Sequence, residues 1–127
     1  MLIGSWNHLP VIALLLCTTA CLDPCGNQVV NETMSPDKRM RAVIFERDCG
    51  ATTDFNTQIS ILGANESLPH AGGNVFVEDS DHGASKYWAE VRWDSPERMV
   101  VRYPARARIF HKEARVKGVS ITYEPVP

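Results

Sequence analysis

The sequence predicts an all-β fold: a small antiparallel β-sandwich or curled sheet of about seven strands, preceded by a cleaved signal peptide. Three observations predict it. Apolar and polar residues alternate with period two in Thr57–Ile61, Ala89–Trp93, Met99–Tyr103 and Val119–Tyr123, as half-buried strands require. Proline-bearing turn quartets, Ser35-Pro36-Asp37-Lys38 and Ser95-Pro96-Glu97-Arg98, fall between such runs. The composition, 44% apolar and 22% charged over 127 residues, is that of one globular domain rather than a disordered chain.

The first element is a leader. Residues 1–20 carry no Lys, Arg, Asp or Glu, and an apolar run from Leu9 to Cys17 is broken only by Pro10. That run is too short for a bilayer-spanning helix, which needs roughly 20 apolar residues. It suits the core of a secretory signal, with Thr18 and Ala20 as the small residues before the cut. Thr18-Thr19-Ala20-Cys21 resembles the lipobox of bacterial lipoproteins, whose cysteine receives a diacylglycerol thioether; Thr18 stands where that family usually has Leu. The expected layout is a signal peptide over 1–20, a tether over 21–28 and a single β-rich domain over 29–127.

With Cys17 removed and Cys21 acylated, Cys25 and Cys49 remain, and an even pair in an oxidising compartment reads as one disulfide. The loop so closed is worth roughly 3.5 kcal/mol in the chain-entropy account. The competing reading makes Cys49 a nucleophile activated by Arg47, with Asp48 opposing a depressed thiol pKa.

Along the body, Ala42–Phe45 is apolar on both faces, the mark of a central strand. Gly63–Gly73 and Asp79–Ser85 read as loops. Ser95–Arg98 joins two strands as a tight hairpin, Pro104 ends the strand begun at Met99, and Gly118 is placed to kink the last one. Ala105–Lys117 fits a short helix or a strand equally.

A net charge of −2 gives no reason to expect nucleic acid, but the charge is polarised. Residues 21–85 hold four positive and ten negative side chains; residues 86–117 hold nine positive and four negative. Arg92, Arg98, Arg102, Arg106 and Arg108 are therefore the candidate face for an anionic partner. Glu78-Asp79-Ser80-Asp81-His82-Gly83 is the densest polar cluster, and Asp79, Asp81 and His82 are its candidate metal ligands or catalytic groups. His70, His82 and His111 are scattered, without triad-like spacing, and Gly72-Gly73 is a lone doublet rather than a phosphate loop. No cofactor is expected.

Ser35-Pro36-Asp37, Ala42-Val43-Ile44-Phe45, Arg47-Asp48-Cys49-Gly50-Ala51-Thr52-Thr53, Gln58–Leu62 and Asn74–Val77 follow one another, and the series resembles a family of small bacterial exported proteins and lipoproteins of unknown function. The resemblance runs from about Cys25 to Tyr123 and is most specific in the Arg-Asp-Cys-Gly-Ala-Thr-Thr string. Lys38 stands where members often have Gly. The resemblance implies a bacterial origin and a partner for Cys49, and it implies no activity. The function expected is that of an exported, lipid-anchored envelope protein with an interaction or structural role, whose partners are the membrane and an envelope protein or other anionic partner. The alternative is an envelope enzyme or metal-binding domain built on the Asp79, Asp81 and His82 loop.

Overall fold

The computed structural model describes residues 3–4, 24–50, 56–79 and 89–127. Cys21 and nearly all of the expected leader lie outside the described residues. All regular structure among them is strand: β1 (Gly26–Met34), β2 (Met40–Asp48), β3 (Asn56–Gly63), β4 (Phe76–Asp79), β5 (Glu90–Ser95), β6 (Arg98–Pro104), β7 (Arg108–Lys112), β8 (Arg115–Val116) and β9 (Val119–Val126). They form a five-stranded sheet, β1-β2-β3-β4-β7, and a four-stranded sheet, β5-β6-β9-β8.

The all-β expectation holds, with two refinements. Nine strands are present among the described residues rather than about seven. The pairing is antiparallel except between β6 and β9, which run parallel from Arg98↔Ser120 to Pro104↔Val126. A parallel pair needs a crossover. Here the chain leaves β6, adds β7 to the first sheet, and returns through β8.

Two local expectations are corrected and one open segment is decided. Gly26–Gln28, assigned to the tether, belong to β1 and pair with Glu46–Asp48. The undecided 105–117 segment contains two strands, β7 and β8, and no helix. Gly118 does not kink β9. It forms with Lys117 the two-residue turn of the β8–β9 hairpin, at φ +79° and +49°, where Val116 faces Val119. Positive φ at both central residues is the requirement of a hairpin turn whose twist matches its strands.

Alternation sorts the side chains as the sequence indicates. Ala42, Ile44, Ile59, Ile61 and Phe76 from the first sheet meet Met99, Val101, Tyr103, Val119 and Ile121 from the second, all of them buried. Phe76 packs against both Tyr103 and Tyr123, with ring centroids 5.3 and 5.6 Å away. Two polar tips bind the sheets together across this core. Trp93 Nε1 donates to the Thr33 carbonyl at 3.1 Å, tying β5 to β1. The Tyr123 hydroxyl donates to the Glu113 carbonyl at 2.5 Å, fixing the corner between β7 and β8. Burial of that phenol pushes its pKa up to about 12, so it stays a donor throughout the physiological range.

Ala42–Phe45 is buried on both faces because β2 is paired on both sides and its outer face is also covered. There Val43, Phe45 and Leu62 form a second cluster against Leu68 of the β3–β4 loop. That loop is sewn down by side chains acting as backbone partners. Asn74 pairs with both the N–H and the carbonyl of Ile61, Gln58 accepts from Gly73 N–H at 2.6 Å, and Asn27 donates to the carbonyls of Pro69 and Ala71. Gly73 lies so close to β3 that a Cβ there would stand 2.7 Å from the Ile59 carbonyl oxygen.

The β1–β2 turn contains the one non-glycine left-handed residue outside the β8–β9 turn among the described residues, Lys38 at φ +59°. Left-handed backbone costs a side-chain-bearing residue about 1–2 kcal/mol, and glycine gives part of that back as chain entropy. Lys38→Gly is therefore expected to raise stability by about 0.5–1 kcal/mol, read as a higher denaturation midpoint at unchanged slope. A lower midpoint would show that the lysine side chain contributes more than its backbone costs.

Candidate functional site

The two ends of the sandwich differ. At one end the Cys25–Cys49 disulfide closes the β1–β2 ladder just beyond the Gly26↔Asp48 pair, with sulfurs 2.02 Å apart. The pairing takes Cys49 out of the thiol pool, so the nucleophile reading has no thiolate to act with. The C-terminal end of β4, the start of β7 and the paired ends of β6 and β9 lie at this same end.

Of the three candidate groups Asp79, Asp81 and His82, only Asp79 is among the described residues, and it is held by Arg108, whose guanidinium donates to its carboxylate at 2.8 Å. Asp81 and His82 lie outside the described residues. Among the described residues no three His, Cys, Asp or Glu side chains are grouped so as to hold a metal ion. His111 approaches Glu113 at 3.6 Å on the surface.

The five arginines do not form one face, a correction that the topology makes. Arg106 is exposed in the β6–β7 turn, and Arg108 lies on edge strand β7, with its guanidinium 4.9 Å from the Phe110 ring centroid. Arg92, Arg98 and Arg102 share the outer face of the second sheet. Two of these three are committed to acids of the same face. Arg92 contacts Asp94 at 3.0 Å and Glu124 at 3.8 Å, and Arg102 contacts Glu90 at 3.3 Å and Glu124 at 3.6 Å. The hydrogen bond to Asp94 holds the Arg92 pKa above its ordinary value. Exposed pairs of this kind contribute little to stability, yet they neutralise the charge that an anion would seek. Alternating charge on neighbouring strands is invisible in a count along the chain, which is why the sequence overstates this face.

Arg98 is different. It stands in a cross-strand row with Ser120 and Arg115, both registered opposite one another on β9 and β8. Sequence reading missed Arg115 because it lies in the stretch that fitted helix and strand equally.

No protein-family model, curated protein or solved structure matches the chain. The site must be read from its own geometry.

At the end opposite the disulfide, the turns are tied to one another. Ala64 N–H donates to the Arg39 carbonyl at 2.9 Å, Ser120 N–H to the Glu97 carbonyl at 2.8 Å, and Lys117 reaches Glu66 at 2.8 Å. Within the first turn the Ser35 hydroxyl donates to Asp37 at 2.7 Å and accepts from Met40 N–H at 3.1 Å. This bracing leaves the turn tips little entropy to lose on binding.

Two carboxylates record it. The Ser35 hydroxyl, with Arg39 N–H, holds Asp37 below the ordinary carboxylate range, and Lys117, with Gly63 N–H, does the same for Glu66. Depressed carboxylates contribute stability that is present above their unfolded pKa and is lost as pH falls through the folded value. The melting temperature is thus expected to drop on acidification below about pH 4. A double variant, Asp37→Asn with Glu66→Gln, should melt lower at neutral pH and show a flatter acid limb. An unchanged acid limb would assign the acid sensitivity to other groups.

Proposed function

We propose that the chain is an exported, non-catalytic interaction domain, held at a bacterial envelope membrane by a lipid on Cys21 and presenting the end of the sandwich opposite the disulfide to its partner. The observation that carries this reading is the position of the disulfide. Cys25 is covalently fixed to Cys49 at one end of the β1–β2 ladder, four residues after Cys21. Four residues reach at most about 14 Å, so a lipid on Cys21 would keep that end close to the membrane surface and turn the opposite end outward. The apolar leader, the small residues before Cys21 and the likeness to small bacterial exported proteins and lipoproteins support export and anchoring. The oxidised pair is consistent with an oxidising compartment.

The intact mass of the mature protein from its native envelope tests this reading. The expected result is a chain starting at Cys21 that carries a diacylglyceryl-sized addition and gains the mass of two hydrogens on reduction. An unmodified chain, or one that keeps its leader, would remove the anchor.

A further inference from the structure

Most cations on the described surface are spoken for. Arg41 pairs with Glu32, Arg92 and Arg102 with Glu90, Asp94 and Glu124, Arg108 with Asp79, and Lys117 with Glu66. Lys112 sits over the Tyr123 ring at 4.6 Å. Lys38, Arg39, Arg98, Arg106 and Arg115 are exposed and make no ion pair among the described residues. All but Arg106 lie at the end opposite the disulfide. Lys38 and Arg39 are in the β1–β2 turn, Arg98 opens β6, and Arg115 opens β8. The Trp93–Thr33 hydrogen bond brings the β5–β6 turn alongside β1 at that end. Asp37, engaged by Ser35, Glu97, in the turn before Arg98, and Glu113, at the corner before Arg115, offset three of the four charges and leave the end with a small positive excess.

We infer that the row Arg98–Ser120–Arg115 is a carboxylate-binding site for an acidic segment of a partner protein, with Lys38 and Arg39 adding positive charge at the same end of the sandwich. Arg98 and Arg115 each face Ser120 in register, on either side of β9, so their Cα atoms are about 10 Å apart on one face of the sheet. Met99 and Ile121, the next pair along the same two strands, are buried in the core, which puts Arg98, Ser120 and Arg115 on the outer face. A guanidinium presents two parallel N–H donors that match a planar carboxylate, and the serine hydroxyl between them adds a donor. Two carboxylates two to four residues apart on an extended chain are about 7–13 Å apart, a spacing that brackets that of the two arginines. An exposed cross-strand row with braced turns at its rim suits a protein segment laid across it. The inference deepens the interaction-domain reading and rests on it. The tether is judged by mass and the row by titration, so each can fail alone.

The test is a titration of the mature full-length protein at low salt with an oligoglutamate peptide, followed by NMR at the arginine Nε–H and Ser120 backbone signals. Inorganic phosphate serves as a second probe. Saturable shifts centred on Arg98, Ser120 and Arg115 are expected, fading as salt is added. Arg98→Gln with Arg115→Gln should weaken peptide binding at least about tenfold. The ion-paired control, Arg92→Gln with Arg102→Gln, should stay within about twofold of the parent. Near-superimposable backbone spectra establish that each variant is folded. Equal weakening in both variants, or no shift in this row, would overturn the site. Tighter binding of phosphate than of oligoglutamate would overturn the protein partner in favour of a phosphate-bearing one.

Discussion

Replacing Phe76 with alanine is expected to remove about 3–5 kcal/mol of stability, the largest effect of any single substitution considered. Phe76 is fully buried in β4, a strand of only four residues, and is the residue by which this strand joins the apolar core between the sheets. Tyr103 and Tyr123 both lean on it and are themselves in edge contact, with centroids 6.4 Å apart. Truncation would leave two tyrosine rings beside a void that they fill only by leaving their positions. One of them carries the hydroxyl that anchors the Glu113 carbonyl. Domains of this size hold about 5–15 kcal/mol in total, so the variant would be marginal at physiological temperature. Urea unfolding of parent and variant checks it. A loss below about 1 kcal/mol would mean that the two sheets are held together elsewhere.

Removing the disulfide by changing both Cys25 and Cys49 to alanine is expected to cost about 3–3.5 kcal/mol, the chain-entropy value for a loop of this length. The sequence separation is 24 residues, and the bond joins an exposed edge strand to the buried strand beside it. The loss should fall unevenly. Hydrogen exchange should accelerate most in β1 near Gly26 and Asn27 and least in β3, which keeps both neighbours. Uniform acceleration across both sheets would show that the bond stabilises the whole fold rather than fastening one strand.

How far the fold was legible depended on whether a strand carried its own signal. Ala42–Phe45 announced a central strand because burial on two faces leaves no room for alternation. The Ser95–Arg98 turn announced its hairpin through proline chemistry, and Trp93 does face Met99 across it. β1 gave no clear signal, for a physical reason. It is an edge strand with a bulge between Val29 and Asn31, and that extra residue breaks the period-two pattern; Val29, Val30 and Met34 remain exposed. The parallel β6–β9 pair was out of reach because no local residue encodes a partner that returns by way of another sheet. The candidate site was legible in part. Arg98 was found, but charge counted along the chain could not tell it from Arg92 and Arg102, whose acids arrive from neighbouring strands.

The disulfide also has a mechanical meaning. A pull on the chain ahead of Cys25 does not peel β1 off its neighbour one hydrogen bond at a time, because the load passes at Cys25 into a covalent link to Cys49. From there it enters β2, which is paired along its length on both sides and buried on both faces. Force from the N-terminal side is therefore taken up by β1 and β2 together, and by β3 through its pairing with β2. A domain towed by its N-terminus would stay folded at tensions that would unzip the same fold in its reduced form.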